Sequence, residues 1–211
     1  MLFGKKLPYL FLTLFFAAVW LLLLFLTPPE RALGTIIRWV FAHGSLTQAS
    51  VYVFLGAALL AAGYLLGHDT LFAWMKALGG IAFGLWISGF LISMIPAKMA
   101  WGVLVDFSEP RTQMTLRVIA MGVVFLVLIW WIHHPKFTAI ALILFAFVLL
   151  FLVRSTSLIR HPANPVGTSP DRILPLIYLG ITLSAVLAAL SLAGHFVDNG
   201  RKKTLSAGKP S

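Results

Sequence analysis

Residues 49–95 read ASVYVFLGAALLAAGYLLGHDTLFAWMKALGGIAFGLWISGFLISMI, two long apolar runs separated only by Gly67-His68-Asp69-Thr70. A hydrocarbon core about 30 Å thick is crossed by roughly 20 residues of α-helix, and each run is of that order. The break between them leaves room only for a reversal, so the runs form an antiparallel hairpin. They are too long and too continuously apolar for barrel strands, which alternate over roughly 9 to 11 residues. Only helices and closed barrels satisfy their own backbone groups in hydrocarbon, which leaves helices.

The pattern repeats on both sides of the hairpin. An apolar run at 7–26 is closed by Pro28-Pro29, which cannot continue a helix without losing backbone bonds. Beyond the hairpin, Pro96 is expected to end the helix at 71–95, and a polar loop to Thr115 leads into a helix at 116–132. His133-His134-Pro135-Lys136 makes a second tight turn into a helix at 137–153. A loop containing Pro162, Pro165 and Pro170 predicts extended, irregular chain. The last helix is expected at 173–192, with Pro175 tolerated in its first turn. The fold class is therefore all-α, a polytopic transmembrane helix bundle of six spans (7–26, 49–66, 71–95, 116–132, 137–153, 173–192) with long Pro-rich loops on one face. One transmembrane domain occupies 1–195, followed by a polar, basic tail at 196–211.

Composition agrees. The chain is 60% hydrophobic and 10% charged, against roughly 25% charged in a soluble domain. Its mean hydropathy is +0.97. There is no cysteine, which excludes disulfides, thiolate metal sites, iron–sulfur clusters and covalent c-type haem. The net charge of +10 does not point to nucleic acid, because the Lys and Arg residues are spread through loops and ends near the headgroups. Lys5 and Lys6 before an apolar run resemble a signal peptide, but no small-x-small cleavage site follows in Thr27-Pro28-Pro29-Glu30-Arg31, so the run reads as a retained first helix.

Within the first long loop, residues 33–41 place Ile36, Ile37, Val40 and Phe41 beside Arg38 and Trp39. That pattern fits a short amphipathic helix in the interface, or an irregular loop packed on the bundle. Gly63 with Gly67 and Gly80 with Gly84 have the small-xxx-small spacing that lets helix backbones approach closely. The six spans put the tight turns at 67–70 and 133–136 on one face with both termini, and the long loops on the other. Leaving out Lys76, which lies within a helix, Lys and Arg number seven on the termini face (5, 6, 136, 201, 202, 203, 209) and eight on the loop face (31, 38, 98, 111, 117, 154, 160, 172). This near-equality does not set the orientation. The clusters Lys5-Lys6 and Arg201-Lys202-Lys203 favour both termini in the cytoplasm, and the expected location is the bacterial inner (cytoplasmic) membrane.

Polar groups inside a membrane are functional candidates by default. Lys76 lies close enough to the start of its helix to snorkel to the headgroups, and Asp69 one or two turns back could pair with it. No helix carries a carboxylate in its middle third, which lowers the case for an ion-coupled carrier. His68, His133, His134 and His195 fall at helix ends on the termini face. They are the candidate ligands for haem b, a quinone or a pigment, against the plainer reading of histidines at the headgroup level. No dedicated metal motif, nucleotide-binding glycine pattern or nucleophile elbow occurs. The charge-balanced loop with Lys98, Trp101, Asp106, Glu109 and Arg111 is the candidate partner surface.

Three functions remain in play. The first is a non-catalytic membrane subunit or assembly factor bound to other membrane proteins, with no catalytic residues. The second is a redox subunit binding haem b, quinone or pigment. The third is a small transporter or channel, for which only scattered hydroxyls such as Ser88 and Ser184 lie near mid-membrane.

Overall fold

Pro8 stands at the cap of the first helix, where its missing N–H costs nothing, and its carbonyl accepts from Phe11 N at 2.9 Å. The computed structural model describes residues 8–156 and 172–207. Its helices are α1 (Tyr9–Leu26), α2 (Ile37–Leu65), α3 (Leu71–Trp101), α4 (Pro110–Ile132), α5 (Pro135–Ser155) and α6 (Ile173–Ala207). All six are long and apolar enough to cross a membrane. The chain is an integral, multi-pass α-helical membrane protein.

Contacts fix the alternation of direction. Tyr9 at the start of α1 lies against Gly194 late in α6, and Leu23 late in α1 lies against Gly180 early in α6. Within the hairpin, Leu71 meets Gly63, and Thr47 meets Gly89 at the far end. α2 is the hub of the bundle, touching α1, α3, α5 and α6. The main core forms around Phe54 and Ala57 of α2, Ala82 and Trp86 of α3, Phe145 of α5 and Ala189 of α6. A second cluster joins α1, α2 and α6 through Leu24, Ile37, Phe41, Leu174 and Ile181.

Several boundaries differ from those expected. The segment 33–41 is neither a separate interfacial helix nor an irregular loop. A turn bridged between Glu30 and Gly34 leads straight into α2, and Ile37 and Phe41 are buried in its first turns. The helix thus starts at 37 and not 49. Its polar residues at 43–48 are accommodated: Thr47 Oγ1 donates to His43 O at 2.9 Å, and Ser45 Oγ donates to Ala42 O at 3.0 Å. Pro96 does not end α3, which continues to Trp101. A proline removes one backbone donor, and a buried helix in a bundle tolerates that loss. The stop comes at Gly102, left-handed at φ 77°, where Lys98 Nζ donates to the Gly102 carbonyl at 2.8 Å.

Pro110 opens α4 six residues before the expected start, with Glu109 as cap. The helix α6 runs on to Ala207, so most of the tail expected at 196–211 is helical. Pro162, Pro165 and Pro170 lie outside the described residues.

Of the glycines expected at close contacts, Gly63 meets Leu71 of α3, whereas Gly67, Gly80 and Gly84 have no such neighbour. A Cβ at Gly80 or Gly84 would meet nothing within 4 Å, whereas one at Gly79 would lie 2.6 Å from Leu142 Cδ2 and one at Gly122 would collide with the Phe83 ring. At Gly89 it would lie 2.6 Å from Thr47 Oγ1 and 3.3 Å from the His43 carbonyl, so a side chain there pushes α2 and α3 apart. Gly89→Leu is expected to lower stability in detergent by about 1–3 kcal/mol. Gly80→Leu should stay within about 0.5 kcal/mol of the parent. Thermal unfolding of both variants checks this, and equal losses would show that the assigned faces of α3 are wrong. Because the chain has no cysteine, single cysteines at 68 and 134 should label from one side of sealed vesicles and a cysteine at 104 from the other.

Candidate functional site

The loop between α3 and α4 is built from its own polar groups. Asp106 Oδ1 accepts from Ser108 N at 2.9 Å and from Ser108 Oγ at 2.6 Å, an Asx turn that reverses the chain before Pro110. Gln113 Nε2 reaches back to Phe107 O at 2.8 Å and ties the loop to α4. Of the candidate partner residues, Lys98 and Arg111 are exposed, Trp101 and Asp106 are half-buried, and Glu109 is only 1% exposed. Glu109 therefore contributes to the inside of this face and not to its surface. The outer surface has an apolar component that the charges obscured in the sequence: Val103, Leu104 and Phe107 all stand out from the loop. Beside Lys98 and Arg111 they give an amphipathic patch at the headgroup level or against a protein neighbour.

His68, His133 and His134 lie at helix ends on the termini face as expected, whereas His195 lies inside α6, which runs on to Ala207; each is engaged locally. His68 Nδ1 lies 3.2 Å from Gly63 O in the α2–α3 turn, and His133 Nδ1 lies 3.1 Å from Trp131 O. His134 is the cap of α5, its Nδ1 accepting from Phe137 N at 3.4 Å. His195 Nε2 lies 3.0 Å from Asn199 Nδ2, one turn along α6. His68, His133 and His134 are exposed and His195 is half-buried. Among the described residues, no three His, Asp or Glu side chains come together as a metal site.

Lys76 is exposed, with no ion pair to Asp69 among the described residues. Polar side chains inside the bundle bond to its backbone. Thr182, Ser184 and Ser191 donate to the carbonyls of Tyr178, Gly180 and Leu187, each one turn back along α6, at 2.8 to 2.9 Å. Ser50 Oγ crosses from α2 to the Ala82 carbonyl of α3 at 2.7 Å. Trp20 Nε1 of α1 donates to Ser45 Oγ at 3.0 Å, which itself donates onward to Ala42 O. Each bond satisfies a group that hydrocarbon would leave unsolvated. Ser184 is thus bonded within its own helix, while Ser88 faces outward.

Among the described residues, crevices open between helices at two places of note. The smaller, about 110 Å³, lies between α2 and α6 near the loop face and is lined by Gln48, Tyr52, Tyr178 and Thr182. Its polar groups are partly paired, with Gln48 Nε2 donating to Tyr52 Oη at 2.7 Å. The larger, about 190 Å³, lies between α3, α4 and α5 towards the termini face, with Phe54 of α2 at its back. Sequence reading found neither, because both depend on which sides of neighbouring helices face each other.

No family model matches this sequence, and no curated protein is similar to it. Geometry alone therefore supports the functional reading. If the buried hydroxyls act as helix ties, Ser50→Ala leaves the Ala82 carbonyl without its side-chain partner and should lower stability by about 0.6–1.7 kcal/mol. Denaturant titration in detergent checks this; an unchanged midpoint would remove Ser50 from the list of ties.

Proposed function

We propose that the chain is a non-catalytic integral membrane subunit, or an assembly or stabilising factor, of a larger membrane protein complex. The proposed location is the bacterial inner membrane. The observation that carries this reading is the use made of the buried hydroxyls: Thr182, Ser184, Ser191, Ser50 and Ser45 are bonded to backbone carbonyls of the bundle. Side chains used in that way are satisfied by the backbone of the bundle, with Ser50 alone among them crossing to a second helix, and they leave few groups to bind or relay a substrate. Two of the histidines are likewise engaged by backbone, His68 with the Gly63 carbonyl in the turn before α3 and His134 with the Phe137 amide as the cap of α5. The loop patch of Val103, Leu104 and Phe107 beside Lys98 and Arg111 supplies a surface on which a partner can sit.

Gentle detergent extraction from native membranes, followed by size-exclusion chromatography, visible absorption and mass spectrometry of the peak, tests the proposal. The expected result is a colourless chain co-eluting with a reproducible set of larger membrane proteins, and the double variant Leu104→Asp/Phe107→Asp should weaken that association at least tenfold. An absorption band that follows the isolated chain would move the function to the histidines. A colourless chain that always runs alone would overturn the subunit reading.

A further inference from the structure

The larger crevice reaches the outer surface of the bundle, where its lining residues Lys76, Gly80 and Leu126 are exposed. Three helices contribute to it over matching lengths: residues 76–83 of α3, 122–129 of α4 and 138–145 of α5 supply its walls, each about 10 Å of helix. Gly80 leaves open space where a side chain would enter it, and Phe83, Phe125 and Phe145 are among its walls. All three helices reach it near their ends on the termini face, so its mouth lies close to the headgroups. Lys76 is the one charged residue among its walls. The side chain is exposed and forms no hydrogen bond or ion pair among the described residues. Lys136, in the first turn of α5, adds a second exposed cation at the same end of the bundle.

We propose that this cleft is a binding site for one anionic phospholipid, with the phosphate on the Lys76 ammonium and part of one acyl chain between α3, α4 and α5. Size selects a chain over a helix. A helix with its side chains is about 10–12 Å wide, whereas a cavity of roughly 150 Å³ takes a six-carbon ring, so 190 Å³ suits a short alkyl stretch. Charge selects the headgroup. An acyl chain gains little by leaving other acyl chains for an apolar cleft, so preference must come from the cation at the mouth, as in other basic pockets between membrane helices.

The site separates from the proposed partner surface, which lies at the opposite end of the bundle, so either reading can fail alone. The test uses the purified full chain, delipidated in detergent, with native mass spectrometry after adding phosphatidylglycerol or phosphatidylcholine. The expected result is one tightly held phosphatidylglycerol, bound about fivefold better than phosphatidylcholine. Lys76→Gln should abolish that preference. Gly80→Leu, which puts a side chain into the cleft where its Cβ meets nothing, should abolish retention of either lipid. Gly84→Leu, on the same exposed face one turn beyond the cleft, should bind like the parent, and the melting temperatures of all three variants check that they are folded. A preference that survives Lys76→Gln, or retention that survives Gly80→Leu, overturns the proposal. Loss of a co-purifying protein from the Gly80→Leu sample, with lipid binding intact, would assign the cleft to a partner helix instead.

Discussion

In hydrocarbon a polar group has no water to fall back on, and that constraint governs how this bundle is put together. Each buried hydroxyl needs an oxygen inside the protein, and the nearest is usually the carbonyl one turn back. Thr182, Ser184 and Ser191 take that route along α6. Ser50 and Trp20 take the longer one, across to a neighbouring helix, and there the same requirement becomes a tie between elements. Such a tie is worth about 0.6 kcal/mol on average in a membrane protein, so the ties specify register more than they hold the bundle together.

Packing supplies the rest, and it is decided by which glycines face inward. Apolar burial gives helices little reason to prefer each other over lipid, so shape must do it. α2 and α3 close on Gly89, α3 and α5 on Gly79, and α1 and α6 on Gly194. Gly80 and Gly84, on the exposed face of α3, have small-xxx-small spacing in sequence, but a Cβ at either would meet nothing within 4 Å. Spacing along one helix identifies a smooth face; only the position of the next helix says whether that face is occupied.

This difference also marks how far the sequence could be read. The six spans follow from apolar runs and short turns, a one-dimensional property, and the hairpin at Gly67-His68-Asp69 is as expected. Helix ends are harder: α2, α3, α4 and α6 each extend at one end into residues whose polarity or proline content reads as loop, while α1 starts at Tyr9 and not at residue 7. Gln48 and Thr47 look like loop residues until Tyr52 and the His43 carbonyl are seen one turn away to pair with them. Pro96 looks like a stop until it is found buried within α3. The histidines were placed at the correct face, but their local bonds to Gly63, Trp131, Phe137 and Asn199 depend on turn geometry that composition does not carry. Burial of Glu109 beside exposed Phe107 reverses what hydropathy implies for that loop.

The position of the cleft follows from how α4 is seated. The loop at 102–109 joins α4 to α3 on one face of the membrane, and there the two helices stay together. Met114 and Val118 are buried, and Trp86 Nε1 donates to Thr115 O at 3.4 Å. Further along, the Phe83 ring fills the notch at Gly122. Beyond that wedge Val123, Val124, Leu126 and Val127 of α4 are all exposed. At its other end α4 is bound by the short turn at His133-His134 to α5, which lies against Gly79 through Leu142. So α4 is held to α3 at one end and to α5 at the other. The crevice lies among these three helices towards the termini face, with Lys76 among its walls. A cleft made in this way is set by the wedge at Gly122 and the two connections of α4, and it persists as long as those three features do.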